Sequence, residues 1–348
     1  MALPIVLGYI RMKSWMGWHR VIGFRTGRCF YSLACALTLM ATGVAAQESF
    51  ASRPIQLVVP QPPGGVADLH ARPFALAMER ILKQPVVVIN KAGAGGTMGT
   101  QFVANSRADG YTMLVAMPGF FITPPVDALF GRPMKFSPDQ FAPVARLSAE
   151  PLLLVVHPSR PWKSVADLLA DAKRRPGDIS YGSSGLYTSL HLQMESFAEA
   201  SGVSLKHVPY NGAGPALVAL LGGHLDALAS GPGPVLAKVR SGALRALAMS
   251  GDKRLAELPE VPTLKELGFD IVYYQQVGIV VRKGTPDSIV KALRDAAKQA
   301  VHDPAFEAAM STIGTTVSYL DAVDYLEVWD KDAKSIAKVL QRVGKLIE

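Results

Sequence analysis

Few stretches of this 348-residue chain carry residue types that could do chemistry. Gly182-Ser183-Ser184-Gly185 places two hydroxyls in a tight turn ahead of a helix, much as an elbow presents a catalytic serine. The G-x-S-x-G pattern nevertheless fails at its last position, where Leu186 stands. His191 follows Ser189 by two residues on the same helix, and such neighbours face different directions. Gly93-Ala94-Gly95 after a strand invites a dinucleotide reading, but the third glycine of that fingerprint falls on Gly99 instead of at Met98. His70, His157, His191, His207, His224 and His302 show no paired metal-ligand spacing and have no cysteine company. Acyl transfer is thus the rival enzymatic reading, and no cofactor or metal is expected.

A different chemistry is written into Ile55 to Arg72, IQLVVPQPPGGVADLHAR. Ile55, Leu57, Val58 and Val59 read as a strand covered on both faces, and Pro60, Pro62, Pro63, Gly64 and Gly65 forbid its continuation. A helix restarts after the turn. Its first N–H groups lack intrahelical partners and, with the helix dipole, make an anion site. Asp68 in the first turn either caps the helix or receives a ligand's amine or hydroxyl.

The first 46 residues contain five cations (Arg11, Lys13, Arg20, Arg25, Arg28) and no acid, then an apolar run near Phe30 to Met40 and the small residues Gly43-Val44-Ala45-Ala46. That is the order of a secretory signal, with cleavage expected after Ala46. Both cysteines, Cys29 and Cys35, fall inside it. Five of the 36 cations leave with it, so 31 remain against 28 acids and the net charge falls from +8 to about +3. No basic stripe remains, and nucleic acid is not an expected partner. Roughly 300 residues are enough for two α/β lobes.

Strand, turn and helix then alternate. Pro85 to Asn90 and Tyr111 to Met117 read as strands, the second ended by Pro118-Gly119 and the apolar tip Phe120-Phe121. Pro151 to His157, Ile179 to Tyr181, His207 to Tyr210, Leu225 to Ala229 and Leu244 to Met249 supply a second set. Val272 to Val281 is a long strand, followed by helices near Pro286–His302, Ala305–Ile313 and Ala322–Leu346 that return to cover the first sheet. Extended passages near 149–157 and 271–281 cross between lobes. The expected division is a first lobe of 47–150 with 276–348 and a second of 151–275, with the ligand cleft between them.

VVPQPPGG-x-x-D, NKAGAGGTMG, ADGYT, YGSSG-x-x-TS-x-H, VPYNGAGPAL-x-x-LLGG, LRALA and LPEVPTL-x-ELG occur in collinear order from about Arg53 to the C-terminus. Together they resemble the Bug-type extracytoplasmic solute receptors of the tripartite tricarboxylate transporter system. The resemblance implies a type II periplasmic binding protein fold, two α/β lobes closing on a small organic acid, no catalysis, a periplasmic location, and membrane permease subunits as partners. It also implies that two turns hold ligand carboxylates through backbone N–H groups and water. The first matches Pro63, Gly64, Gly65 and Asp68, and the second Ser183, Ser184, Gly185, Thr188 and Ser189.

Departures from the family pattern sharpen the expectation. Val66-Ala67 replaces a usual Ser-Thr, Asn211 a common Lys, Ser230-Gly231 an Asp-Asn, and Gln276 a Trp, while Gly119-Phe120-Phe121 stands where a Gly-Thr-rich turn is usual. A monocarboxylate or aromatic acid, with Phe120 or Phe121 packing on its body and Tyr210 and Asn211 within reach, fits better than a citrate-like ligand. A monomer is expected, and a loaded receptor that addresses a membrane sensor kinase is the alternative role.

Overall fold

The computed structural model describes residues 50–344; the expected signal segment at 1–46, with both cysteines, and the expected helical residues 345–346 lie outside the described residues. The first sheet holds six strands in the order β11-β4-β10-β3-β1-β2: β1 Ile55–Val59, β2 Val86–Asn90, β3 Thr112–Ala116, β4 Phe141–Pro151, β10 Tyr274–Arg282 and β11 Val317–Leu320. The second holds five in the order β7-β6-β8-β5-β9: β5 Leu153–Val156, β6 Ser180–Ser183, β7 Lys206–Pro209, β8 Ala227–Ser230 and β9 Arg245–Met249. The two sheets with their helices form two lobes.

Both sheets are mixed. β1 pairs parallel with β2 and β3, whereas β10 runs antiparallel to β3 and β4. In the second sheet β6 is parallel to β7 and β8, and β5 is antiparallel to β8 and β9. The antiparallel members follow from the crossings: β4 carries the chain toward the second sheet and β10 brings it back alongside. Ser250 fastens the two crossings together. It is fully buried, its N–H donates to the Leu152 carbonyl (2.8 Å), and its hydroxyl donates to the Tyr273 carbonyl (2.7 Å) while accepting from the Leu152 N–H (2.9 Å).

Helices cover both faces of each sheet. On the first, α1 (Val66–Leu82) packs with α8 (Asp287–Val301) and α9 (Pro304–Thr312), burying Phe74, Met78, Leu293 and Phe306 with the odd residues of β1. The opposite face carries α2 (Thr97–Ala104), α3 (Gly119–Leu129) and α10 (Ala322–Val343). On the second, α4 (Val165–Arg174) and α5 (Ser189–Ser201) lie over one face, and α6 (Ala213–Leu221) and α7 (Pro232–Arg240) over the other.

Two strands and two helices fall outside the periodicity reading. β4 carries Arg146, Ser148 and Glu150 between two prolines, which hides its alternation, and β11 is a four-residue edge. The apolar tip at Phe120-Phe121 is the first turn of α3, which continues through Pro124-Pro125, and α7 begins on Pro232. Among the described residues no helix is long and apolar enough to cross a membrane.

Candidate ligand-binding site

The turn after β1 is built by Asp68. Its carboxylate accepts from the Gly64 N–H (3.0 Å), from Arg72 Nε (3.0 Å) and Nη2 (2.9 Å), and from Asn90 Nδ2 (3.0 Å), and Asn90 also donates to the Gln61 carbonyl (3.0 Å). Burial pushes this carboxyl up, but the bonds from Arg72, Gly64 and Asn90 outweigh it and hold its pKa below the usual range. Both oxygens are thus spent inside the turn. Asp68 sets the path of the Pro60–Gly65 backbone. Asp68→Asn should cost about 1 kcal/mol of stability in urea unfolding, since the outer half of Arg72 is in water and screens the pair.

The hydroxyl-rich turn after β6 divides its work. Ser183 is fully buried; its Oγ donates to the Gly185 carbonyl (2.9 Å), accepts from the Gly185 N–H (3.1 Å) and shares a hydrogen bond with His207 Nε2 (2.7 Å). The serine–histidine pair looks like the start of a hydrolase, yet the serine proton is committed to a carbonyl and no substrate reaches the oxygen. Ser183 therefore shapes the turn. Thr188 likewise donates to the Gly185 carbonyl (2.8 Å) but also faces the cleft, as do Ser184 and Gly185.

These residues open onto a cavity of about 1010 Å³. Gly119, Ser184, Gly185, Thr188, Tyr210 and Asn211 come together in its wall. Pro63, Gly64 and Gly65 do not; they belong to a turn pressed against the second sheet's loops, where a Cβ on Gly212 (φ +118°) would meet the Pro62 ring at 2.6 Å. Between these loops Pro60, Pro62, Gly95, Ser184 and Asn211 enclose a gap of about 10 Å³, room for one water. Ser189 lines a separate cavity on the hinge side. Phe120 does not line this wall. It is 2% exposed and packs on Phe121, Phe136, Phe141 and Trp329, because the first turn of α3 points it into the sheet.

Several wall residues carry no obvious sequence signal. Ile122, Val126, Phe130, Leu186 and Tyr187 make the apolar part, and Arg132 and Lys135 bring cations, with Arg132 Nε donating to Asp127 (3.1 Å). Gly95 was visible as part of a glycine run, and its role is steric: at φ +65° a Cβ there would lie 3.2 Å from Thr188 Cγ2 across the cleft. Three helix N-termini converge on this space, at Thr97 of α2, Gly119 of α3 and Thr188, the N-cap of α5. The site is one of positioned dipoles in a largely apolar wall, suited to an anion.

Residues 70–347 match the model of the tripartite tricarboxylate transporter family receptor. The chain belongs to this family. The receptor is 37% identical over 311 residues to a Cupriavidus necator protein encoded in the gbd 5′ region, covering 89% of this chain and 93% of that protein. The solved structure of the periplasmic binding protein BugD matches with a TM-score of 0.79 at 29% identity, over 84% of this chain and 98% of that one. An R. palustris protein solved with adipate matches with the same TM-score and identity, over 85% and 98%. The receptor is thus a solute-binding protein of a periplasmic transport family and performs no catalysis.

Proposed function

We propose that the receptor captures a small organic acid with an apolar body, a monocarboxylate or aromatic acid, and delivers it to the membrane permease subunits of a tripartite transporter. The observation that carries this reading is the convergence of the α2, α3 and α5 N-termini on one cavity. The positive ends of these helix dipoles and the Ser184 hydroxyl receive the carboxylate without a buried cation, which avoids the desolvation cost of an arginine. Ile122, Val126 and Leu186 take the body in place of the buried Phe120. Residues 47–150 with 276–348 move as one lobe against 151–275, and closing excludes water and strengthens each hydrogen bond to the anion. Residues 1–46 direct export and are removed in the process.

A thermal-shift screen of residues 47–348 against mono-, di- and tricarboxylates and aromatic acids tests this, because a ligand that binds the native state raises the melting temperature. A selective rise with one class of acid is expected. Ser184→Ala should then weaken that acid by about 1 kcal/mol, roughly fivefold, in titration calorimetry. No rise with any acid, or an unchanged affinity in the variant, would remove the assignment.

A further inference from the structure

The hinge side of the receptor holds a second cavity, of about 450 Å³, with walls from both lobes. Its charge balance is the reverse of the first. Arg132 and Lys135 outnumber Asp127 in the front cavity, whereas here Asp270 and Asp332 outnumber Arg146. That arginine is already held: Nε donates to the Ser318 carbonyl (2.9 Å), Nη2 to the Ser318 hydroxyl (2.8 Å) and Nη1 to Gln276 Oε1 (3.4 Å). Asp332 receives Gln276 Nε2 at 2.5 Å and lines the cavity. Tyr273 and Ser189 border the same space. Leu192, Ile336 and Val339 supply an apolar wall opposite these polar groups.

We propose that this cavity binds a small organic ammonium ion with an aliphatic body. The ammonium group donates to the Asp332 carboxylate, and the alkyl chain lies against Leu192, Ile336 and Val339. An ammonium fits because it supplies the charge and the donors that the wall lacks. An acid would bring a second anion beside two carboxylates. A cation held here touches α5 of the second lobe and α10 of the first, and ties them together.

Burial pushes the Asp332 carboxyl up to about 6, against the lowering influence of the Gln276 hydrogen bond and the Arg146 charge. The groups facing it are Arg146 on β4, Gln276 on β10, Tyr273 ahead of β10 and Tyr325 on its own helix. Asp332 is therefore ionised at pH 8 and largely neutral at pH 5.

Titration calorimetry of the purified receptor with n-pentylammonium chloride, with pentanoate as the counter-probe, is the test. Saturable one-to-one binding of the amine is expected, weaker by about tenfold at pH 5 than at pH 8, and unaffected by pentanoate. Asp332→Asn should weaken it at least tenfold while leaving the thermal shift produced by the front-cavity acid intact, so failure of one site is separable from failure of the other. Ser196→Trp, at a half-buried wall position on α5, fills the cavity without touching the carboxylate and should do the same. Absence of saturable binding, binding that both variants retain, or displacement of the amine by pentanoate would overturn the proposal.

Discussion

Phe120→Ala should lower unfolding stability by about 3 to 5 kcal/mol and leave the affinity for an apolar acid within about threefold of the parent. The ring sits in a cluster with centroid distances of 5.0 Å to Phe121 and Phe141, 5.2 Å to Trp329 and 6.1 Å to Phe136. Truncation removes most of that packing at once. The surroundings cannot collapse to fill the space, because Phe141 is anchored in β4 and Trp329 in α10. Urea unfolding reads the first quantity and titration with the acid found in the screen reads the second. A tenfold loss of affinity with stability retained would return Phe120 to the ligand wall. The residue thus separates two ways of selecting an apolar ligand: by a ring that touches it, or by Ile122 and Val126 one turn further along α3.

The fold was legible wherever local rules and tertiary packing agree. A buried β-branched run such as Ile55–Val59 has only one comfortable home, the interior of a sheet between helices; Val86–Asn90, expected to be equally buried, is the edge strand with only Val86 buried, and the glycine turns after both announce helix starts. β4 was not legible. Its polar residues look wrong for a central strand because they satisfy one another through tertiary contacts: Ser148 and Glu150 bond His70 at 2.8 and 3.0 Å, and Arg146 reaches Ser318. No spacing rule encodes partners 70 to 170 residues away.

The site divides along the same line. Ser184, Gly185, Thr188, Tyr210 and Asn211 could be picked out because a hydroxyl-rich or glycine turn at a helix start has few other uses. Asp68 and Ser183 sit in the same turns and carry the same functional types, yet their hydrogen bonds run inward to Gly64, Asn90, Gly185 and His207. Sequence gives the turn and its chemistry; which oxygen faces the ligand depends on a rotation that only the folded neighbours fix. Arg132 and Lys135 follow α3 in a stretch without periodicity, and only the fold brings them to the cavity.

Acidification from pH 7.5 to 5 should lower unfolding stability by about 2 kcal/mol, and the cause lies behind the ligand turn. His191 and His207 stack with centroids 4.0 Å apart beneath Gly182–Gly185, and Tyr181 stacks on His207 at 5.0 Å. His191 Nδ1 accepts from the Tyr187 N–H at 2.9 Å, while Glu195, 3.9 Å from Nε2, already takes the Tyr181 hydroxyl. Burial, with the His207 charge second, pushes His191 down to about 3; burial alone pushes His207 down to about 4. Both folded-state values lie below the ordinary 6.5, so the unfolded chain takes up protons first and stability is lost as pH falls through 6.5 toward 4. At pH 5 the loss is about 2 kcal/mol from His191 and about 1 from His207, which is discounted for its solvent contact. Asp332 works in the other direction. Its raised folded-state value means that it gains a proton in the native state first, returning about 1 kcal/mol over the same window. Urea midpoints at the two pH values check the net fall. His191→Gln should flatten the dependence and Asp332→Asn should steepen it. A pH-independent midpoint in the parent would mean that the two imidazoles are not held neutral by burial, and would leave the turn above them without the rigid floor on which its carboxylate-binding geometry depends.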